Sequence, residues 1–194
     1  MTANDRRLDR RVAMRALLEN RGELLLVTGL GSTTWDAAAA GDDDRNFYLW
    51  GAMGSAAMVG LGLALARPDH RVLVVTGDGE MLMGLGALAT IGVQCPPNLV
   101  VAVFDNGQYR ETGMQASHTA EVVELVAVAR ACGFKETFDV IDELRLRDFA
   151  AQIHDAATTL FARIAIRADE PLRVLPPRDG VLLKTCFRRA IGIN

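Results

Sequence analysis

The sequence has no pair of cysteines at metal-binding or redox spacing. Cys95, Cys132 and Cys186 are scattered among 194 residues and no Cys-x-x-Cys occurs. That excludes a disulfide framework and a zinc site, and it suits a reducing cytoplasm. An excess of charge of one sign is lacking too. The 21 Lys and Arg against 24 Asp and Glu leave a net charge of −3, so a nucleic-acid-binding face is not the main business. No targeting segment is recognisable: Arg6, Arg7, Arg10, Arg11 and Arg15 are interleaved with Asp5, Asp9 and Glu19, and no apolar stretch follows directly. This is the pattern of an exposed first helix, not of a signal or transit peptide. Met81–Phe104 carries no charge over 24 positions, but Pro96, Pro97 and three glycines divide it into a buried helix, a turn and a buried strand. A soluble protein is expected. Repeats and low-complexity tracts are absent. What is present, half apolar and 23% charged, can build a core, and the length is that of one domain, here 1–194.

Along the chain, helical and strand patterns alternate. Asp5–Asn20 has apolar residues at helical spacing, with Gly22 as its stop. Leu24–Thr28 is a short apolar run that ends in Gly29-Leu30-Gly31-Ser32, a strand-to-helix turn. Gly41–Arg45 is a polar loop whose three aspartates suit a solvated turn, with metal binding as the alternative. Ser55–Ala66 has no charge and predicts a helix buried on most faces. Arg71–Thr76 and Asn98–Phe104 are strands apolar on both faces, as in a parallel sheet covered on both sides. Gly84–Gly92 predicts a second buried helix. A helix over Glu121–Cys132, a strand near Lys135–Val140, a helix over Glu143–Ala157, a strand over Leu160–Ile166 and a closing helix over Val181–Ile191 complete the reading. The predicted fold is a doubly wound α/β domain, mostly parallel, with helices on both faces.

In such a sheet ligands sit beyond the carboxyl ends of the strands. There the sequence places Gly77-Asp78-Gly79 after one apolar strand and Asp105-Asn106-Gly107-Gln108 after the next, with 25 residues between them. Two glycines around a carboxylate permit a sharp turn and a close ligand. If the two strands are neighbours, Asp78 and the Asn106 amide oxygen face one point and offer oxygen ligands to a magnesium ion that shares its shell with phosphates. Taken singly, each tripeptide also reads as an ordinary turn.

The paired spacing resembles the cofactor motif of thiamine diphosphate (ThDP)-dependent enzymes. The stretches WGAMGSAAMVGLGLALARPDHRVLVVTGDGEMLMGLGALATIG and NLVVAVFDNGQYRETGMQ are similar to the diphosphate-binding domain of the phosphonopyruvate and sulfopyruvate decarboxylase group. The resemblance implies that Asp78 and Asn106 bind magnesium through their side chains and Gln108 through its carbonyl. It implies that Gly77, Gly79 and Glu80 meet the diphosphate, with Gly31 and Ser32 as further contacts. Smaller residues are commoner at the position of Glu80, whose side chain is therefore expected to point away from the phosphates. Gly51-Ala52-Met53-Gly54 aligns with the loop that holds the bent cofactor. Met53 is then the wedge between its rings and the Gly51 carbonyl the acceptor for its amino group; an ordinary core methionine is the other reading.

The family also needs a glutamate on the aminopyrimidine, carried by a pyrimidine-binding domain for which the chain has no room. The resemblance thus implies one subunit of a hetero-oligomer, with the second domain on a partner chain. Gln115 and His118 are candidates for proton transfer and Arg110 for holding an acidic substrate; a surface cation and a helix cap are the plainer readings of Arg110 and His118. His70 and His154 read as structural. The activity implied is decarboxylation of a short 2-oxo acid. The alternatives are a carboligase resembling acetolactate synthase and a non-catalytic ThDP-binding subunit.

Overall fold

The structure is a computed structural model that describes residues 7–193. Six parallel strands form the central sheet: β1 (Leu25–Thr28), β2 (Asn46–Tyr48), β3 (Val72–Gly77), β4 (Leu99–Asp105), β7 (Glu136–Val140) and β8 (Leu160–Ala165). Their order is β2-β1-β3-β4-β8-β7, and β5 (Gln108–Tyr109) pairs with β6 (Gln115–Ala116) in a separate antiparallel hairpin. The chain leaves β1 toward one edge, returns, and continues from β3 toward the other. The winding therefore reverses between β1 and β3, which opens a crevice at their carboxyl ends.

Successive side chains of a strand point to opposite faces, so each apolar strand needs cover on both sides. On one face α1 (Arg10–Leu18), α2 (Ser32–Ala40) and α7 (Glu143–Gln152) pack on Leu26, Leu73, Val75, Val100 and Ala102. On the other, α3 (Ala56–Ala66), α5 (Ala87–Gln94), α6 (Leu125–Ala131) and α8 (Gly180–Ala190) pack on Leu25, Val27, Val72, Val74 and Val101. The short α4 (Asp78–Met83) begins directly at the end of β3. Doubly wound α/β architecture is thus what the alternating pattern builds.

Several boundaries differ from the sequence reading. Residues 5 and 6 of the first predicted helix lie outside the described residues. From Leu8 onward the chain pairs with Ile166, and α1 starts only at Arg10 because the Asp9 carboxylate accepts the amides of Arg11 and Val12. That helix is docked, not merely exposed: Ala13, Met14 and Leu17 are buried. The segment Gly84–Gly92 is not one helix. α4 stops at Met83 and α5 starts at Ala87, since Gly84 lies against the Gly54 carbonyl, where an added Cβ would sit 2.1 Å from the oxygen. Nor are the charge-free helices fully covered, because Met58 and Leu65 of α3 and Val93 of α5 are exposed, Val93 at 81%, as is Met83 at the end of α4. α6 begins at Leu125, not Glu121, and α7 ends at Gln152.

One buried ion cluster joins the first two helices. Asp36 accepts Arg10 Nε at 2.6 Å and Arg11 Nε at 2.7 Å, and both Arg10 and Asp36 are almost wholly buried. Removing the carboxylate leaves a buried guanidinium without its partner, which costs about 3–5 kcal/mol. Asp36→Ala is therefore expected to lower the stability of the full chain by that amount in urea unfolding.

Candidate active site

β3 and β4 are hydrogen-bonded neighbours in register, Gly77 opposite Phe104. Asp78 and Asn106 therefore emerge side by side beyond the sheet, as the motif spacing requires. They share a cleft with Met53, Gly77, Gly79 and Gln108. Ser32, Glu80 and Arg110 also line it. Gly31, Gly51, Ala52, Gln115 and His118 are not among its lining residues.

The walls are polar where the strands end. A Cβ added at Gly77 would meet nothing within 4 Å, so the backbone there is open to close approach. Ser32 Oγ, at the start of α2, and Gln108 Oε1 are buried without a hydrogen-bond partner among the described residues. Asp78 is 2% exposed. Burial pushes its carboxyl above the ordinary value, the Ser117 hydroxyl pulls the other way, and the Asp105 charge adds to the rise. A cation beside it would relieve that cost. The donor set is oxygen throughout: the Asp78 carboxylate, the Asn106 amide oxygen and the carbonyls of the loop. Hard divalent cations select such donors, so the residues fit magnesium. The unpartnered Ser32 hydroxyl and the open backbone at Gly77 fit an anionic phosphate partner.

The Glu80 carboxylate is turned toward Thr76 and Gly29. Its Oε2 accepts the Thr76 hydroxyl at 2.8 Å. The carboxylate sits against Gly29, where a Cβ would lie 1.5 Å from Oε2. Burial raises its pKa, while the Thr76 hydroxyl and the amides of Ala56, Gly54 and Leu30 oppose the rise. It thereby spans the β1–α2 turn and the loop that carries Met53.

The hairpin β5–β6 takes up the segment expected to border the substrate. Gln115 is exposed and exchanges hydrogen bonds with Thr112, its Oε1 accepting the hydroxyl at 3.0 Å and its Nε2 donating to the carbonyl at 3.1 Å. His118 is exposed in a 3-10 turn, its Nδ1 3.3 Å from the Tyr109 hydroxyl. Arg110 donates to the Asp169 carbonyl and lies 3.3 Å from Glu170, so a cation does face the cleft. His70 contacts Asp69, and His154 lies exposed just past α7. Two of the three aspartates of 41–45 are spent on local bonds: Asp42 accepts the Tyr48 hydroxyl and Asp43 the Arg45 amide.

Three residues were missed. Arg10 lines the cleft, although an arginine-rich helix reads as surface. Ser117 and Thr119 contact Asp78 from the segment after the hairpin. Their only sequence signal is a run of short polar side chains near the second motif.

Residues 31–165 match the family described as thiamine pyrophosphate enzyme, C-terminal TPP binding domain. The chain is 35% identical over 185 residues to the sulfopyruvate decarboxylase subunit beta of Methanocaldococcus jannaschii, covering 92% of this chain and 94% of that one. It is 46% identical over 169 residues to the phosphonopyruvate decarboxylase of Streptomyces hygroscopicus, covering 87% of this chain and 39% of the other. The chain thus spans nearly the whole of one relative and about two fifths of the second. Among solved structures, benzoylformate decarboxylase from Polynucleobacter necessarius superposes with a TM-score of 0.68 at 19% identity, over 84% of this chain and 34% of that one.

The Gly29–Glu80 contact yields a test by non-additivity. Gly29→Ala forces the buried carboxylate aside, an overpacking cost of about 1–3 kcal/mol. In a Glu80→Ala background the space is free, and the same substitution is expected to cost less than about 1 kcal/mol. Urea unfolding of the four proteins of the cycle checks this.

Proposed function

Because the chain belongs to the thiamine pyrophosphate enzymes, through their C-terminal TPP binding domain, we propose that it is the diphosphate- and metal-holding subunit of a decarboxylase. Its substrate is a short 2-oxo acid of the phosphonopyruvate or sulfopyruvate type. The observation that carries the reading is the convergence of Asp78 and Asn106 at neighbouring strand ends, in one cleft with an unpartnered Ser32 hydroxyl. Thiamine diphosphate, when bound, supplies the carbon nucleophile and the electron sink for loss of CO2.

The chain's own residues hold and orient. Asp78, Asn106 and the Gln108 carbonyl take magnesium, whose charge offsets both the buried carboxylate and the diphosphate. Backbone amides of Gly77, Gly79 and Glu80 at the start of α4, with the Gly31 amide and the Ser32 hydroxyl at the start of α2, would donate to the phosphate oxygens. Gly51, Ala52 and Met53 shape the loop against the cofactor rings, with Met53 as the apolar wedge that keeps them bent. Arg110, paired with Glu170, and Arg10, paired with Asp36, bring guanidinium groups to the cleft, where any N–H left over would suit an acidic ligand. His118 and Gln115 stand outside the cleft lining on the hairpin side, where a proton-transfer role depends on surface that a partner chain adds.

That partner is a pyrimidine-binding-domain subunit, which brings the activating glutamate to a chain read as one cofactor domain over 1–194. Two observations support it. The relative that this chain covers almost completely is named a beta subunit. The apolar side chains exposed on α3, α4 and α5 offer a surface to cover. Three free thiols fit a reducing cytoplasm as the compartment.

Two outcomes test the reading. Asp78→Ala is expected to abolish magnesium-dependent ThDP binding, with little change in unfolding midpoint, since a strand-end carboxylate adds little to the core. Titration of ThDP with magnesium present measures it, and unchanged affinity overturns the assignment. CO2 release from several 2-oxo acids is expected only when a pyrimidine-domain subunit is co-expressed. Turnover by the lone chain overturns the split-subunit reading.

A further inference from the structure

Behind the metal loop, two hydroxyls stand between two buried carboxylates. Asp78 Oδ2 accepts the Ser117 hydroxyl, and Thr119 Oγ1 lies 3.2 Å from the same oxygen. The two hydroxyl oxygens are 2.8 Å apart, and Thr119 Oγ1 is 2.8 Å from Asp105 Oδ1. Each hydroxyl has one proton to give. Ser117 gives its proton to Asp78, and the shorter contact directs that of Thr119 to Asp105.

Asp105 itself is fully engaged. Its Oδ1 also accepts the Gly107 amide at 3.0 Å, and its Oδ2 holds Arg163 Nε at 2.6 Å. Arg163 is tied in turn to Asp139 at 3.0 Å. Asp105 is therefore an anchor and not a ligand, although it stands next to Asn106 in the motif. Ser117 is 1% exposed, and its amide donates to the Gly107 carbonyl at 2.9 Å. The hydroxyl pair is thus locked to the same loop that carries Asn106. Among the described residues no other side chain bonds the Asp78 carboxylate, which besides the two hydroxyls takes its own backbone amide, and Asp78 lines the cleft.

We propose that Ser117 and Thr119 are positioning residues for the cation: Ser117 holds the carboxylate of Asp78, Thr119 braces Ser117 from Asp105, and the carboxylate and the Asn106 amide oxygen, itself fixed by the Gln108 amide, then present a rigid half-shell. The inference rests on the magnesium reading of the site and says which residues enforce its geometry. Rigidity matters unequally to different ions. Magnesium demands a near-ideal octahedron, whereas calcium accepts six to eight oxygens in an irregular shell. A loosened carboxylate should therefore penalise magnesium more than calcium.

The experiment titrates ThDP into the full chain, co-purified with its partner subunit where the lone chain binds weakly, in magnesium and separately in calcium. Ser117→Ala and Thr119→Val are each expected to lower magnesium-supported affinity by about 10- to 100-fold, the usual effect of removing an outer-shell partner. Calcium-supported affinity should fall much less. Ser117→Thr and Thr119→Ser, which keep the hydroxyls, should restore the magnesium preference. If wild type shows no metal-dependent binding, the reading of the site falls and the inference with it. If wild type shows it and the variants match wild type, or lose both ions equally, the positioning role alone is overturned.

Discussion

Two neighbouring strands that are apolar on both faces, β3 and β4, dictate most of this molecule. All seven residues of β4 and five of the six in β3 are buried, so helices must cover each side, and the polar side chains of these two strands, Thr76 and Asp105, stand at their carboxyl ends. The polar residues are displaced to where the strands stop. There the backbone amides of the following turns and helix starts meet solvent, and there the winding reverses. The carboxylate of Asp78 and the amide of Asn106 become neighbours because their strands are neighbours, not through any attraction of their own.

The site balances buried charge on a small scale. Asp78 and Asp105 both lie out of water, and each is kept there by a different device. Asp105 has a guanidinium, an amide and a hydroxyl. Asp78 has two hydroxyl contacts and, among the described residues, no side-chain cation. That asymmetry separates a structural carboxylate from one with capacity to spare. Glu80 repeats the contrast two residues on, its charge turned against Gly29 and Thr76.

What was legible in the sequence was what periodicity and punctuation encode. Val72–Gly77 and Leu99–Asp105 are nearly continuous apolar runs ending in glycine and acid, so their type and their place in a parallel sheet could be read directly, while their adjacency remained a condition that only the fold fulfils. β2 was hidden because a three-residue edge strand has no period to detect. The hairpin was hidden for a related reason: two-residue strands leave no pattern, and their turn depends on Gly113 and on Met114 at φ +63°. Arg10 shows a third limit. Its burial depends on Asp36, 26 residues later, a pairing that exists only once α1 and α2 pack. Ser117 and Thr119 belong with it, since their meaning comes from a carboxylate about 40 residues earlier.

The parallel sheet also has a cost in time. No ladder of the six-stranded sheet closes through a local turn; each needs a crossover, and long-range pairing of this kind folds slowly. Until β3 and β4 are covered, their apolar surfaces stand open to other chains. The β5–β6 hairpin, with five residues between its strands, is under no such restriction and can pair early. The segment that ends in Ser117 thus rides on one of the quickest elements to form, and the carboxylate it meets sits at the end of one of the slowest.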